Sequence, residues 1–143
     1  MMIISVATGV GLQKKIREKI AAFNGYIIIS NYDNNQSEVT LIPISKTQSF
    51  YPKFSAVPEV NHVQAIATKA GIIRTETAFE GVILKGVGAD YKWKDINEFL
   101  LSGSLPNFSN NLNQEVLISQ FLANRLNLKI GDKFNTFFVK EEQ

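Results

Sequence analysis

The stretch MMIISVATGVGLQKKIREKIAAFNGYIIIS, residues 1–30, decides how the chain is read. Met1 to Gly11 carries no charge and passes without a break into Leu12, Ile16, Ile20 and Phe23, which recur at helical spacing. Lys14, Lys15, Arg17, Glu18 and Lys19 fill the other faces, giving an apolar stripe beside a polar back. Asn24 and Gly25 tolerate the left-handed conformation that closes a helix, so the helix is expected to end there. Tyr26 to Ser30 then turns to aromatic and β-branched residues, which predicts a first strand. Ile27, Ile28 and Ile29 leave it no polar face, so it is expected at the centre of a sheet. A helix that hands over to a sheet sets the class as α+β.

Beyond Ser30, polar Asn31 to Ser37 reads as a loop, and Val39 to Ile44 as an extended edge segment limited by Pro43. Lys46 to Phe54 reads as one or two helical turns. Val60 to Thr68, Gly71 to Thr77 and Phe79 to Val87 are three strand-like runs whose links are too short for parallel crossovers, which predicts an antiparallel meander. Trp93 to Leu101 has helical spacing, and Ser102 to Asn113 is a Ser, Asn and Gly-rich loop. Glu115 to Ile118 reads as a strand, Ser119 as the cap of a helix over 120–127, Gly131 and Asp132 as a turn, and Phe134 to Val139 as a last strand. The whole is a mixed, largely antiparallel sheet with two or three short helices.

With 143 residues and 45% hydrophobic content, the chain has enough apolar material for one folded core. Its 15 basic and 13 acidic residues are too balanced to gather a phosphate backbone, which argues against nucleic acid as a partner. Cysteine is absent, which excludes disulfides, thiolate metal sites and a cysteine nucleophile. Met1 to Gly11 is shorter than the roughly 20 residues that cross a bilayer, and without a basic leading segment it makes a poor signal peptide. Two readings of it stay open. The helix could dock its stripe on the sheet of a soluble domain, or it could be the last turns of a membrane helix with its basic residues at headgroup level. Gly9 and Gly11, poor helix formers in water but common in membranes, favour the second.

Residues able to carry chemistry are sparse, so no catalytic, cofactor or metal residues are assigned. His62 is the single histidine, with no second imidazole to pair with it. Gly9-Val10-Gly11 and Gly86-Val87-Gly88 lack the remaining residues of a phosphate-binding loop and read as close packing or turns. The carboxylates Glu76 and Glu80 flank a turn, Asp90 and Asp95 flank a helix start, and Glu141 and Glu142 end the chain, with no reason for a raised pKa. Phe50, Tyr51, Phe54 and Trp93 could line an apolar pocket of a small ligand-binding domain or enzyme, although core packing explains them as well.

Three stretches resemble a known family, the extracytoplasmic domains of ABC-transporter permeases of the FtsX/MacB type, and most closely the lipoprotein-releasing LolC/LolE permeases of Bacteroidetes-like bacteria. The first is Val10-Gly11-Leu12-Gln13 leading to Phe23-Asn24-Gly25-Tyr26-Ile27-Ile28-Ile29, similar to the passage from the first transmembrane helix to the first periplasmic strand. The second is Val82-Ile83-Leu84-Lys85-Gly86-Val87 with Gly103-Ser104-Leu105. The third joins Glu115-Val116-Leu117-Ile118, Leu122-Ala123-Asn124-Arg125-Leu126 and Leu128-Lys129-Ile130-Gly131-Asp132, with Ser119 where many members have glycine.

The resemblance implies a periplasmic, non-catalytic domain that couples ATP hydrolysis by a cytoplasmic subunit to extraction of lipoproteins from the inner membrane. It implies residues 1–24 as the end of the first transmembrane helix, with Leu12, Ile16, Ile20 and Phe23 on the coupling helix. Residues 25–143 would be the periplasmic core, truncated on its C-terminal side before a chaperone-binding hairpin that would begin about where Lys140 to Gln143 end the sequence, in a region expected beyond Gln143. The implied partners are the ATPase, a second permease copy, the lipoprotein substrate and a periplasmic chaperone. A MacB-like efflux permease or an FtsX-like cell-division permease would share the same motifs.

Overall fold

Ile66–Arg74 forms the strand from which the sheet is built, in a computed structural model that describes residues 2–34, 37–108 and 113–138. This strand, β1, pairs along its whole length with Phe79–Val87 (β2), from Ile66 opposite Val87 to Arg74 opposite Phe79. Between them Thr75 N–H donates to the Ala78 carbonyl (2.8 Å), and the Thr75 hydroxyl accepts from Ala78 N–H (3.1 Å). On its other side β1 pairs with Asn135–Phe138 (β3), with Gly71 opposite Phe138 and Arg74 opposite Asn135. The result is a three-stranded antiparallel sheet in the order β2-β1-β3. With the long helix Met2–Asn24 (α1) and the short helices Lys94–Asn97 (α2) and Gln120–Arg125 (α3), the fold is α+β, as the sequence implied.

The two runs 60–68 and 71–77 were expected to be separate strands, but β1 passes straight through Lys69 and Ala70. Neither residue supplies the positive φ of a tight hairpin, so nothing there reverses the chain. Gly71 is needed for another reason. A Cβ on it would stand 3.1 Å from Leu84 Cδ1 and 3.1 Å from the Phe137 carbonyl oxygen, with Phe138 Cδ1 at 3.3 Å, so its missing side chain lets these groups close over the strand. Alternation puts Gly71 and Ile73 on the packed face, and Ile73 is only 2% exposed. Ile72, Ile83 and Phe137 lie on the opposite, exposed face.

Tyr26 to Ser30 is not a central strand. It joins no ladder, and Tyr26 and Ile27 are 78% and 76% exposed. The centre it would occupy is taken by β1, which has β2 on one side and, on the other, β3 and Thr40, whose N–H donates to the Thr68 carbonyl at 2.9 Å. That bond places the segment expected at an edge beside β1 without making it a strand. Glu115 to Ile118 likewise runs without a ladder partner. Lys46 to Phe54 forms turns instead of helix, because Pro52 removes a donor and disfavours helical backbone at Tyr51 before it. The polar loop after Ser30 contains a single 3-10 turn, Tyr32–Asn34.

Helix α2 is four residues long where Trp93 to Leu101 was expected, and no side chain caps its start. Helix α3 follows its sequence signals more closely. The Ser119 hydroxyl accepts from Leu122 N–H (3.1 Å), and Asn127, with φ +51°, ends the helical run. Leu126, 3% exposed, is buried, and Arg125 forms an ion pair with Glu80 of β2. Gly131 turns with φ +92°, while the Asp132 carboxylate accepts from Lys129 N–H at 2.8 Å, the turn anticipated there. Val139, Glu141, Glu142 and positions 109–112 of the Ser102 to Asn113 loop lie outside the described residues. The chain divides into two units, Met1–Ile29 with Lys92–Phe99, and Ser30–Tyr91 with Leu100–Gln143.

Candidate functional site

Helix α1 runs unbroken for 23 residues, about 35 Å at 1.5 Å per residue. Gly25, with φ +77°, closes it by donating its N–H to the Ala21 carbonyl at 2.8 Å. At about 100° per residue, Leu12, Phe23, Ile16 and Ile20 fall in a sector of about 80°, with Lys19 on one border and Arg17 beyond the other. The stripe is exposed over most of its length: Leu12, Ile16 and Ile20 are 60%, 50% and 58% exposed. Above it, Val6 and Val10 are exposed as well, on a part of the helix with no charged side to turn outward. No helix among the described residues is long and apolar enough to cross a membrane.

Among the described residues it is the foot of α1 that is held. Phe23 packs against Phe99, their ring centroids 5.4 Å apart and the planes inclined by 36°. Lys19 Nζ stands 5.4 Å from the centre of the same Phe99 ring, a cation–π contact. Phe99 follows α2, which touches α1 and buries Ile96. The Phe99 N–H donates to the Ile96 carbonyl (2.9 Å), and Lys92 pairs with Asp95 at 2.8 Å, so the segment receiving the helix is braced. The stripe residues therefore divide: Phe23 meets a partner, while Leu12, Ile16 and Ile20 present their side chains outward.

In the other unit a polar arrangement that joins remote segments centres on Asp90. Its Oδ2 accepts from Ala65 N–H (2.8 Å) and from the Tyr51 hydroxyl (3.0 Å), and its carbonyl accepts from His62 Nε2 (2.8 Å). Partial burial opposes the charge, but the bonds from Ala65 and Tyr51 and the attraction of Lys46 outweigh it, holding the carboxyl below its ordinary range. The hydrogen bond to Asp90 raises the Tyr51 hydroxyl pKa. Gly88 makes room for the knot, since a Cβ there would lie 2.7 Å from Asp90 Oδ1. Three segments are thus tied together immediately before Lys92.

This arrangement ties remote stretches of backbone together. His62 is committed to a carbonyl, and no group of three or more metal-binding side chains occurs among the described residues. Gly88 is a close-packing position as expected, whereas Gly9 and Gly11 stand in open space. The aromatic set is not one site: Phe50 and Phe54 meet edge to face at 6.2 Å, Tyr51 is turned to Asp90, and Trp93 belongs to the other unit. An open apolar recess of about 470 Å³ lies elsewhere, between Thr40, Pro43, Leu84 and Phe138.

The sequence reading singled out the α1 stripe but missed Phe99 and Asp90. Phe99 was visible only as one apolar position in the Trp93 to Leu101 run, and Asp90 only as a carboxylate flanking a helix start. Their partners are remote in sequence, 39 residues for Tyr51 and 28 for His62, and no local pattern announces them. Compared with models of known protein families, with curated proteins and with solved structures, the chain has no match.

Proposed function

We propose that the chain is the extracytoplasmic, non-catalytic domain of an FtsX/MacB-type ABC-transporter permease, which couples cytoplasmic ATP hydrolysis to the extraction and release of lipoproteins from the bacterial inner membrane. The observation that carries the reading is α1, an unbroken helix whose first turns are uncharged, whose middle stripe is exposed, and whose last turn alone is docked. An unbroken helix transmits displacement along its axis, because each turn is hydrogen-bonded to the next. The contact of Phe23 with Phe99 passes that displacement to the Lys92–Phe99 segment. Residues 1–24 act as the membrane-proximal lever and 25–143 as the periplasmic body it moves. The ATPase and a second permease copy engage through the membrane part.

The test is purification of the protein in mild detergent from its own membranes, together with its depletion in cells. An ATP-binding subunit should co-purify, and depletion should leave lipoproteins in the inner membrane. If no ATPase accompanies it and lipoprotein distribution is unchanged, the reading fails. Loss of drug efflux or of cell separation in place of lipoprotein release would assign the same lever to a MacB-like or an FtsX-like transporter.

A further inference from the structure

We infer that the Leu12–Ile20 part of α1 docks on an anionic phospholipid surface in preference to a zwitterionic one. Charge is the first ground. Lys14, Lys15, Arg17 and Lys19 against Glu18 give this helix +3, more than the +2 of the whole chain, so the rest of the protein is slightly acidic. The second ground is placement. Lys15 and Arg17 lie on either side of the sector of Leu12, Ile16 and Ile20, each about 60° beyond its border, the arrangement in which apolar side chains enter the acyl boundary while cationic heads reach the headgroups. Glu18 cancels little of this, its contact with Lys14 being a loose 3.9 Å between exposed side chains. Among the described residues Lys15 and Arg17 form no ion pair with any carboxylate. A neutral surface would satisfy the isoleucines but leave these cations without counter-charge, whereas acidic lipid satisfies both.

The inference rests on reading α1 as the membrane-proximal element, and not on the transport role. Its experiment uses the full chain with no ATPase present, so failure here leaves the co-purification test standing, and the reverse. Flotation is measured with vesicles of phosphatidylcholine alone and with vesicles containing 30% phosphatidylglycerol, at low and high salt. Binding is expected to be at least tenfold tighter to the phosphatidylglycerol vesicles, to fall at high salt, and to weaken about fivefold for each of Lys15→Gln and Arg17→Gln. The charge-conserving Lys15→Arg should bind as wild type. Ile16→Asn with Ile20→Asn should weaken binding to both vesicle types, with circular dichroism confirming that the helix persists. Equal binding to the two lipids, no binding to either, or displacement by millimolar inorganic phosphate at constant ionic strength would overturn the proposal.

Discussion

Phe23, on the last turn of α1, packs against Phe99 with ring centroids 5.4 Å apart, and there the apolar stripe meets a partner within its own unit. Phe99→Ala removes that contact together with the cation–π contact of Lys19. The expected cost to the docking of α1 is about 1 to 3 kcal/mol, less than for a fully buried ring because Phe99 is half-buried. Amide exchange over Ala21 to Asn24 should accelerate while protection of β1 is unchanged.

Asp90 makes stability depend on acid in a definite direction. Its carboxyl is depressed in the folded state, so its contribution is complete above the ordinary aspartate value near 3.9 and is lost as pH falls through the folded value. Tyr51 is raised, so its contribution holds below about 10 and is lost as pH rises through its folded value. Asp90→Asn should cost about 1 to 2 kcal/mol between pH 5 and 8. In melts followed down the pH scale, the gap to wild type should close as the pH falls below the ordinary aspartate value near 3.9. A gap constant into acid would contradict the assignment.

Three glycines separate close approach from open space. Gly71→Ala should destabilise by about 1 to 3 kcal/mol, because the neighbouring Phe137 carbonyl oxygen is backbone and cannot swing aside. Gly88→Ala pushes against Asp90 Oδ1 and should weaken the same hydrogen bonds that Asp90→Asn does, so the two substitutions are expected to be less than additive. Gly81→Ala meets nothing within 4 Å and should be tolerated. Denaturant midpoints for the three variants check the order.

Ser119 caps α3 through its hydroxyl, and Ser119→Ala should cost about 1 kcal/mol while Ser119→Gly costs only a few tenths. Urea titrations of both variants distinguish a capping role from a packing one, for which the two would lose alike.

What could be read from the sequence was what neighbouring residues decide among themselves. The stop at Gly25, the cap at Ser119, the turn at Gly131 and the limits of β2 all follow from local conformational preference, and the structure has each of them. The failures have physical reasons. Tyr26 to Ser30 has the composition of a core strand, but a strand also needs a neighbour, and β1 holds the central position. Pro52 overrode the apolar spacing of Lys46 to Phe54. The α1 stripe was legible as a candidate site, yet whether it would be covered or exposed was not, because the same spacing serves a core and a membrane boundary equally.

Lipoprotein release per ATP hydrolysed, measured in proteoliposomes holding the assembled transporter, tests the lever role of α1 most directly. Glycine at Ile16 and Ile20 softens the middle of the helix by about 1 kcal/mol at each position without touching the docked foot. The account predicts that the Ile16→Gly/Ile20→Gly variant hydrolyses ATP at close to the normal rate and releases several-fold less lipoprotein. Release in normal proportion to ATP turnover would contradict it.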